Sequence, residues 1–203
     1  MKLISVRAFT TPLFNLTFFI VPLVVLLLLS SCNDTPKQVE TVKAPVQENQ
    51  IKIENANNTN NDAQFLATAA EINMEEIQLG QLAQKNSKMG DIKELGKMME
   101  TDHSKALKEL RDLASKKQMT IPGTLNDMGK SDYDNLVKKT GKDFDKTYCS
   151  MMVTGHKDAI SKFENEVSNG TDAEVKSWAT KMLPALKAHL NHSTTCQKEC
   201  QKM

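Results

Sequence analysis

Four polar side chains stand on the apolar faces of otherwise amphipathic segments, and they are of the types that hold metals or share protons: Glu76, His103, His156 and His189. The stretch Met98-Met99-Glu100-Thr101-Asp102-His103 lies midway in a periodic run from about Asp91 to Lys117. Within that run Ile92, Leu95, Met99, Ala106, Leu110 and Leu113 form one apolar stripe of helical period. At about 100° per residue, Asp102 and His103 flank the centre of the stripe by roughly 50° on either side. The same projection puts Glu76 near the middle of the preceding apolar arc, with Glu71 and Glu75 turned outward. Asp145, His156 and His189 border the arcs of the two following long segments. One carboxylate with two or three imidazoles suits a divalent transition metal, namely zinc, iron, manganese or copper. The same residues also suit a buried polar layer, in which Glu76 accepts hydrogen bonds from histidine and fixes helix register. Asp102 and Asp145 are supporting polar groups in either arrangement.

The elements that must position these groups are all helical. Apolar periodicity predicts helices over about 63–88, 91–117 and 143–168, and a fourth from Asp172 through Leu190, with a short extra helix over 131–140. Gly90-Asp91, Thr120-Ile121-Pro122-Gly123, Gly141 and Asn169-Gly170-Thr171-Asp172 separate them. No segment alternates with the period of a strand. The expected fold is all-α: an up-down-up-down four-helix bundle with the short helix between its second and third long helices. Counting from the turns at Gly90 and Gly170, taken as one shared end, places Glu76, His103 and His156 at one level and His189 about 7 Å deeper. Pro184 is expected to bend the last helix.

The N-terminus speaks to location. Lys2 and Arg7 precede an apolar run, Leu13 to Leu29, that ends in Leu29-Ser30-Ser31-Cys32. This is the order of a secretory signal, and its last four residues resemble the bacterial lipobox, whose Cys is acylated and becomes the new N-terminus. The resulting division is a signal peptide over 1–31, a lipid-anchored linker over 32–62, a bundle over 63–195 and a C-terminal tail over 196–203. The linker is rich in Asn, contains Pro36 and Pro45 and lacks aromatics, so it has little apolar surface to bury. The expected location is the bacterial cell envelope, anchored at the outer membrane on its periplasmic or surface side. The chain carries 26 basic and 25 acidic residues, and loss of Lys2 and Arg7 with the signal leaves it close to neutral. That balance, with no Lys/Arg cluster, offers no electrostatic footprint for nucleic acid.

Three thiols remain beyond Cys32. Cys149 and Cys196 are placed to form a disulfide near one end of the bundle. Cys196 and Cys200 are alternatively spaced to pair with each other, or to join His189 and His192 in a surface metal site.

Phe65-Leu66, Ala69-Ala70, Asn73, Glu76-Ile77, Leu79-Gly80, Leu82-Ala83, Met99, Asp102-His103, Phe144-Asp145, Tyr148, His156, Phe163-Glu164, Leu183-Pro184 and His189-Leu190 together resemble the bacterial domain-of-unknown-function family 4142. Its members are commonly labelled outer membrane proteins. The resemblance covers roughly residues 62–192 and implies a ferritin-like four-helix bundle in an exported protein, without an established activity. Cys149, Cys196, Cys200 and His192 lie outside the family pattern. Ferritin-like di-iron enzymes carry a Glu-x-x-His motif on each of two helices. Here Glu100-x-x-His103 supplies one, with Glu100 turned roughly 115° from the apolar centre of its helix. With no complete catalytic motif, the sequence favours a binding module or a structural protein of the envelope over an enzyme.

Replacing Cys32 by Ser is expected to leave an unprocessed precursor that takes up no fatty-acid probe. Unchanged labelling of that variant would remove the proposed anchor.

Overall fold

The computed structural model describes residues 46–202, with side chains from Asn61 onward. The expected signal peptide, Cys32 and the first part of the expected linker lie outside the described residues. Five helices follow in order: α1 Val46–Asn86, α2 Gly90–Lys116, α3 Asp127–Val137, α4 Gly141–Asn169 and α5 Ala173–Gln201. The described residues contain no strand, and the fold is an all-α four-helix bundle with a short extra helix.

Helices α1 and α2 form one antiparallel hairpin and α4 and α5 the other, and the two hairpins pack through α2 on α5 and α1 on α4. The first hairpin closes tightly because Gly80 and Gly96 face each other. A Cβ on Gly80 would stand 2.5 Å from the Gly96 carbonyl oxygen, and one on Gly96 would stand 2.6 Å from that of Gly80. Two backbones this close leave no room for a side chain between them.

The directions of the helices differ from strict up-down-up-down order. Asp62, near the start of the bundle, accepts hydrogen bonds from Thr171 N at 2.9 Å, Asp172 N at 2.8 Å and Thr171 Oγ1 at 2.6 Å. At the same end, Lys117 just after α2 pairs with Asp172 at 2.7 Å and Glu174 at 3.0 Å. The α4–α5 turn therefore sits opposite the α1–α2 turn, and α2 and α4 run parallel. Segment 117–140, with α3 inside it, crosses the length of the bundle and packs α3 on α1 and α4. A single long crossover of this kind is the ferritin-like connection. It makes every neighbouring helix pair antiparallel.

Several boundaries also shift. Helix α1 is described from Val46, well ahead of the expected start at residue 63, so residues 46–62 are helical and not part of a disordered linker. Asn126, not Ser131, caps α3 by accepting from Gly129 N at 2.8 Å. Asp172 caps α5 as its sequence suggests, accepting from Glu174 N and Val175 N. Residues 196–201 are not a tail but the last turns of α5, with Cys196 and Cys200 buried. The apolar side of those turns continues the stripe, so helix formation and burial coincide there.

Packing divides along the bundle axis. Phe65, Phe163 and Trp178 meet edge-on or tilted towards the Asp62 end, with ring centroids 4.9–6.2 Å apart. Leu79, Leu82, Ile92, Leu95, Phe144, Tyr148 and the thiols fill the other end. The polar groups lie between these two apolar layers.

Gly96→Ala is expected to lower stability by about 1–3 kcal/mol, because a methyl must push the α1 and α2 backbones apart. Gly123→Ala, at a site with open space around it, is expected to change it by under about 0.5 kcal/mol. Thermal unfolding of the two variants checks the close approach, and equal shifts would contradict it.

Candidate metal centre

His103, His156 and His189 stand near the midpoints of α2, α4 and α5, and all three side chains are buried. Position at the middle explains why the levels of Glu76, His103 and His156 read correctly even though their helices were counted from opposite ends. His189 is a correction. It is not a turn deeper but packs against both other rings, with centroids 5.2 Å from His103 and 5.3 Å from His156. One ring nitrogen from each of the three lies within 4.8 Å of the others.

The outer nitrogens fix the tautomers. His156 Nδ1 is 2.9 Å from the Met152 carbonyl oxygen, an acceptor only, so Nδ1 carries the proton and Nε2 is bare. His189 Nε2 donates to Asp102 Oδ2 at 2.9 Å, leaving Nδ1 bare. His103 Nδ1 is 3.0 Å from Asn73 Oδ1. The Asn73 amide is oriented by its own donation to the Ala69 carbonyl at 2.6 Å, so His103 Nδ1 is the donor. His103 Nε2 is then a bare acceptor, buried and without a hydrogen-bond partner.

The consequence is an inward concentration of lone pairs. His156 Nε2 and His189 Nδ1 face each other at 3.3 Å with no proton between them in the neutral rings. Two nitrogens bound at 2.0–2.1 Å to one tetrahedral ion stand about 3.3 Å apart. Burial holds all three rings neutral: it pushes His103 well below the usual imidazole range, lowers His156 to about 4 and lowers His189, with the neighbouring imidazoles adding to the first two. Asp102 offsets part of the effect on His189. Neutral imidazole is the ligating form.

Glu76 lies outside this convergence. Its Oε1 is 3.6 Å from His156 Nδ1, the nitrogen that points away from the other two rings, and its Oε2 is buried without a partner. Burial, with Glu75 adding, raises its pKa well above the ordinary carboxylate value, so the site disfavours a negative charge on Glu76 beside His156. Glu76 faces the core at the level of His156, as its place on the apolar arc predicts, but lies on the Nδ1 side of that ring. Asp102 is half-exposed and reaches in from the rim. Asp145 shares the inward face of α4 but stands eleven residues before His156, roughly 16 Å along the axis, one turn before Cys149. Being on the same face is not being at the same depth.

Glu100 takes no part, since it faces outward to accept from Gln81 and Gln84 at 2.8 Å each. The residues that the projection passed over are Asn73 and the Met152 carbonyl. Asn73 precedes Glu76 by three positions and so shares its face. The Met152 contact, a backbone acceptor four residues before His156, leaves no mark in the sequence. A cavity of about 40 Å³ adjoins His103 and His189, lined by Asn73, Asp102, Phe163 and Trp178 among others. It has room for about one water-sized ligand.

Three buried imidazoles with their outer N–H groups anchored, on three helices of a four-helix bundle whose neighbours are antiparallel and whose hairpins are joined by one crossover, define a ferritin-like bundle with a nitrogen-lined centre that could hold a metal. Residues 47–195 match the family model described as a domain of unknown function, DUF4142, and the chain belongs to that family. No curated protein and no solved structure matches the chain.

In the metal-free protein, His103 and His156 are expected in the Nδ1–H tautomer and His189 in the Nε2–H tautomer, all neutral at pH 7. Long-range nitrogen–proton NMR correlations read this directly. His156 should also make the metal-free fold acid-sensitive. Its folded pKa lies below the unfolded value, so its contribution is complete above about pH 6.5 and is lost as pH falls towards 4. Glu166, raised to about 7 chiefly by burial, acts in the opposite sense: its contribution is present below its unfolded value and is lost as pH rises through 7. The His156 part is therefore read as the difference between wild type and His156→Leu across pH 4–6.5, which should shrink on acidification.

Proposed function

We propose that this protein is a metal-binding module of the bacterial cell envelope, held at the membrane by acylated Cys32, with His103, His156 and His189 as ligands. The observation that carries the reading is the inward convergence of three unprotonated imidazole nitrogens whose outer N–H groups are each committed to an acceptor. Without an ion, that arrangement leaves buried acceptors facing one another, at a cost of about 1–3 kcal/mol for each unsatisfied group. With one, every ring nitrogen has a partner.

An all-imidazole set favours zinc or copper(II) over manganese, which prefers oxygen. Asn73, Met152 and Asp102 would act through the rings by fixing their orientation and raising their basicity. Glu76 would strengthen the Met152–His156 side by ionising in the field of the bound cation. The small cavity beside His103 and His189 would admit a fourth, exogenous ligand. The paired carboxylates that a di-iron oxidase needs do not surround these rings, so the reading is capture or storage of one ion, not oxidation chemistry.

The test is elemental analysis and thermal unfolding of the full chain, isolated without a histidine tag, with EDTA and with added zinc, copper, manganese or ferrous iron. The expected results are about one equivalent of metal, a higher midpoint by mass action, and loss of both in the His103→Ala/His156→Ala variant. Asp102→Ala is expected to weaken binding by about 10–100-fold. If no metal raises the wild-type midpoint beyond that of the double variant, the rings are a structural polar layer and the proposal fails.

A further inference from the structure

The structure assigns a second site, independent of the imidazole centre, to Asp145, Cys149, Cys196 and Cys200: we propose that they bind a thiophilic divalent cation of the zinc class. The two helices contribute matched pairs one turn apart, Asp145 and Cys149 on α4 and Cys196 and Cys200 on α5. Such i, i+4 pairs project from one face of each helix, and antiparallel packing of α4 on α5 brings the two faces together.

Cys149 is the hub. Its Sγ lies 3.7 Å from that of Cys200, and Cys196, whose Sγ donates to the Asp91 carbonyl oxygen at 3.8 Å, packs in the same buried cluster. Two thiolates bound at 2.3 Å to a tetrahedral zinc stand about 3.8 Å apart, close to the separation found here. All three thiols are free and buried. The fourth group is an independent pointer to a ligand, since Asp145 is 5 % exposed and its Oδ1 is buried with no hydrogen-bond partner. A buried carboxylate oxygen without a donor calls for a cation. Asp145 stands one helical turn before Cys149 on the buried face of α4. An ion seated against Cys149 and Cys200 would draw Cys196 and Asp145 inward to complete four-fold coordination.

The Tyr148 hydroxyl, in the same buried cluster as the three thiols, also lacks a partner. Once the metal is bound it would be available to donate to a thiolate sulfur, the supporting contact that sulfur ligands need in an apolar setting. On binding, three S–H bonds break, metal–sulfur bonds form and the protons leave to solvent. No electron moves, and the total charge of the site equals that of an ordinary four-thiolate zinc site. The spacing relates this site to the first one. Cys149 precedes His156, and Cys196 follows His189, by two helical turns each, so the sulfur site lies about 10 Å along the axis from the nitrogen site.

Cobalt(II) is the probe. The full chain, reduced and handled without oxygen, is titrated with cobalt(II), and the near-ultraviolet sulfur-to-cobalt charge-transfer band is followed with the visible bands of tetrahedral cobalt. The band is expected in wild type and in His103→Ala/His156→Ala, to be displaced by zinc, and to vanish in Cys149→Ser. Cys200→Ser, which leaves the hub in place and keeps the protein testable if Cys149→Ser misfolds, should weaken cobalt binding at least tenfold while circular dichroism stays helical. An imidazole site alone gives no sulfur band, so failure here is distinct from failure of the first proposal. Two results would overturn the inference: no sulfur-to-cobalt band in folded wild type, or a Cys149–Cys196 or Cys149–Cys200 disulfide in the protein as isolated from the envelope, found by peptide mass spectrometry.

Discussion

The hydrogen bonds that point away from the centre of this bundle govern what the centre can be. Each imidazole has two nitrogens, and once Met152, Asp102 and Asn73 have taken the proton-bearing one, the other must face the core as a bare acceptor. Burial then keeps a second proton off, because an imidazolium in an apolar layer would lose its hydration without a buried carboxylate to replace it. The nearest buried acid, Glu76, is itself pushed towards its neutral form. Burial thus disfavours charge in this polar layer while leaving it rich in lone pairs, which distinguishes it from an ion-pair network.

Helix arrangement supplies the precision. The crossover through 117–140 places α2 and α4 on a diagonal and leaves each helix with two antiparallel neighbours. Histidines near three helix midpoints meet at one depth whichever way their helices run. The Gly80–Gly96 contact seals the α1–α2 hairpin, and the Asp62 carboxylate ties its start to the α4–α5 turn. Those two fastenings act at different heights and fix the register of α1, which carries both Asn73 and Glu76. A slide of one residue in α1 would move Asn73 by about 1.5 Å, enough to break its contact with His103.

The two ends of the bundle differ in chemistry as well as packing. Towards Asp62 the core is aromatic and aliphatic, built on Phe65, Phe163 and Trp178. Towards Gly90 it is rich in sulfur, with Cys149, Cys196, Cys200, Met99 and Met152 buried together. Nitrogen donors at the middle and sulfur donors at one end suit cations of different softness, and the same two helices, α4 and α5, serve both.

Much of this was legible in the sequence, for a definite reason. Helical period is local, so the amphipathic runs identified the all-α class, the short extra helix and the inward faces of His103, His156 and His189. The lipobox-like Leu29-Ser30-Ser31-Cys32 is a local signal too, and it lies outside the described residues. Depth and direction are not local. Only tertiary packing decided that α2 and α4 run parallel, that His189 joins the other two rings, that Asp145 sits with the thiols and not with the histidines, and that residues 196–201 continue a buried helix. Ring tautomers lie furthest from the sequence, because they depend on which acceptor each outer nitrogen meets. One of those acceptors is a backbone carbonyl that every residue possesses, and only the packing of His156 against its own helix selects it.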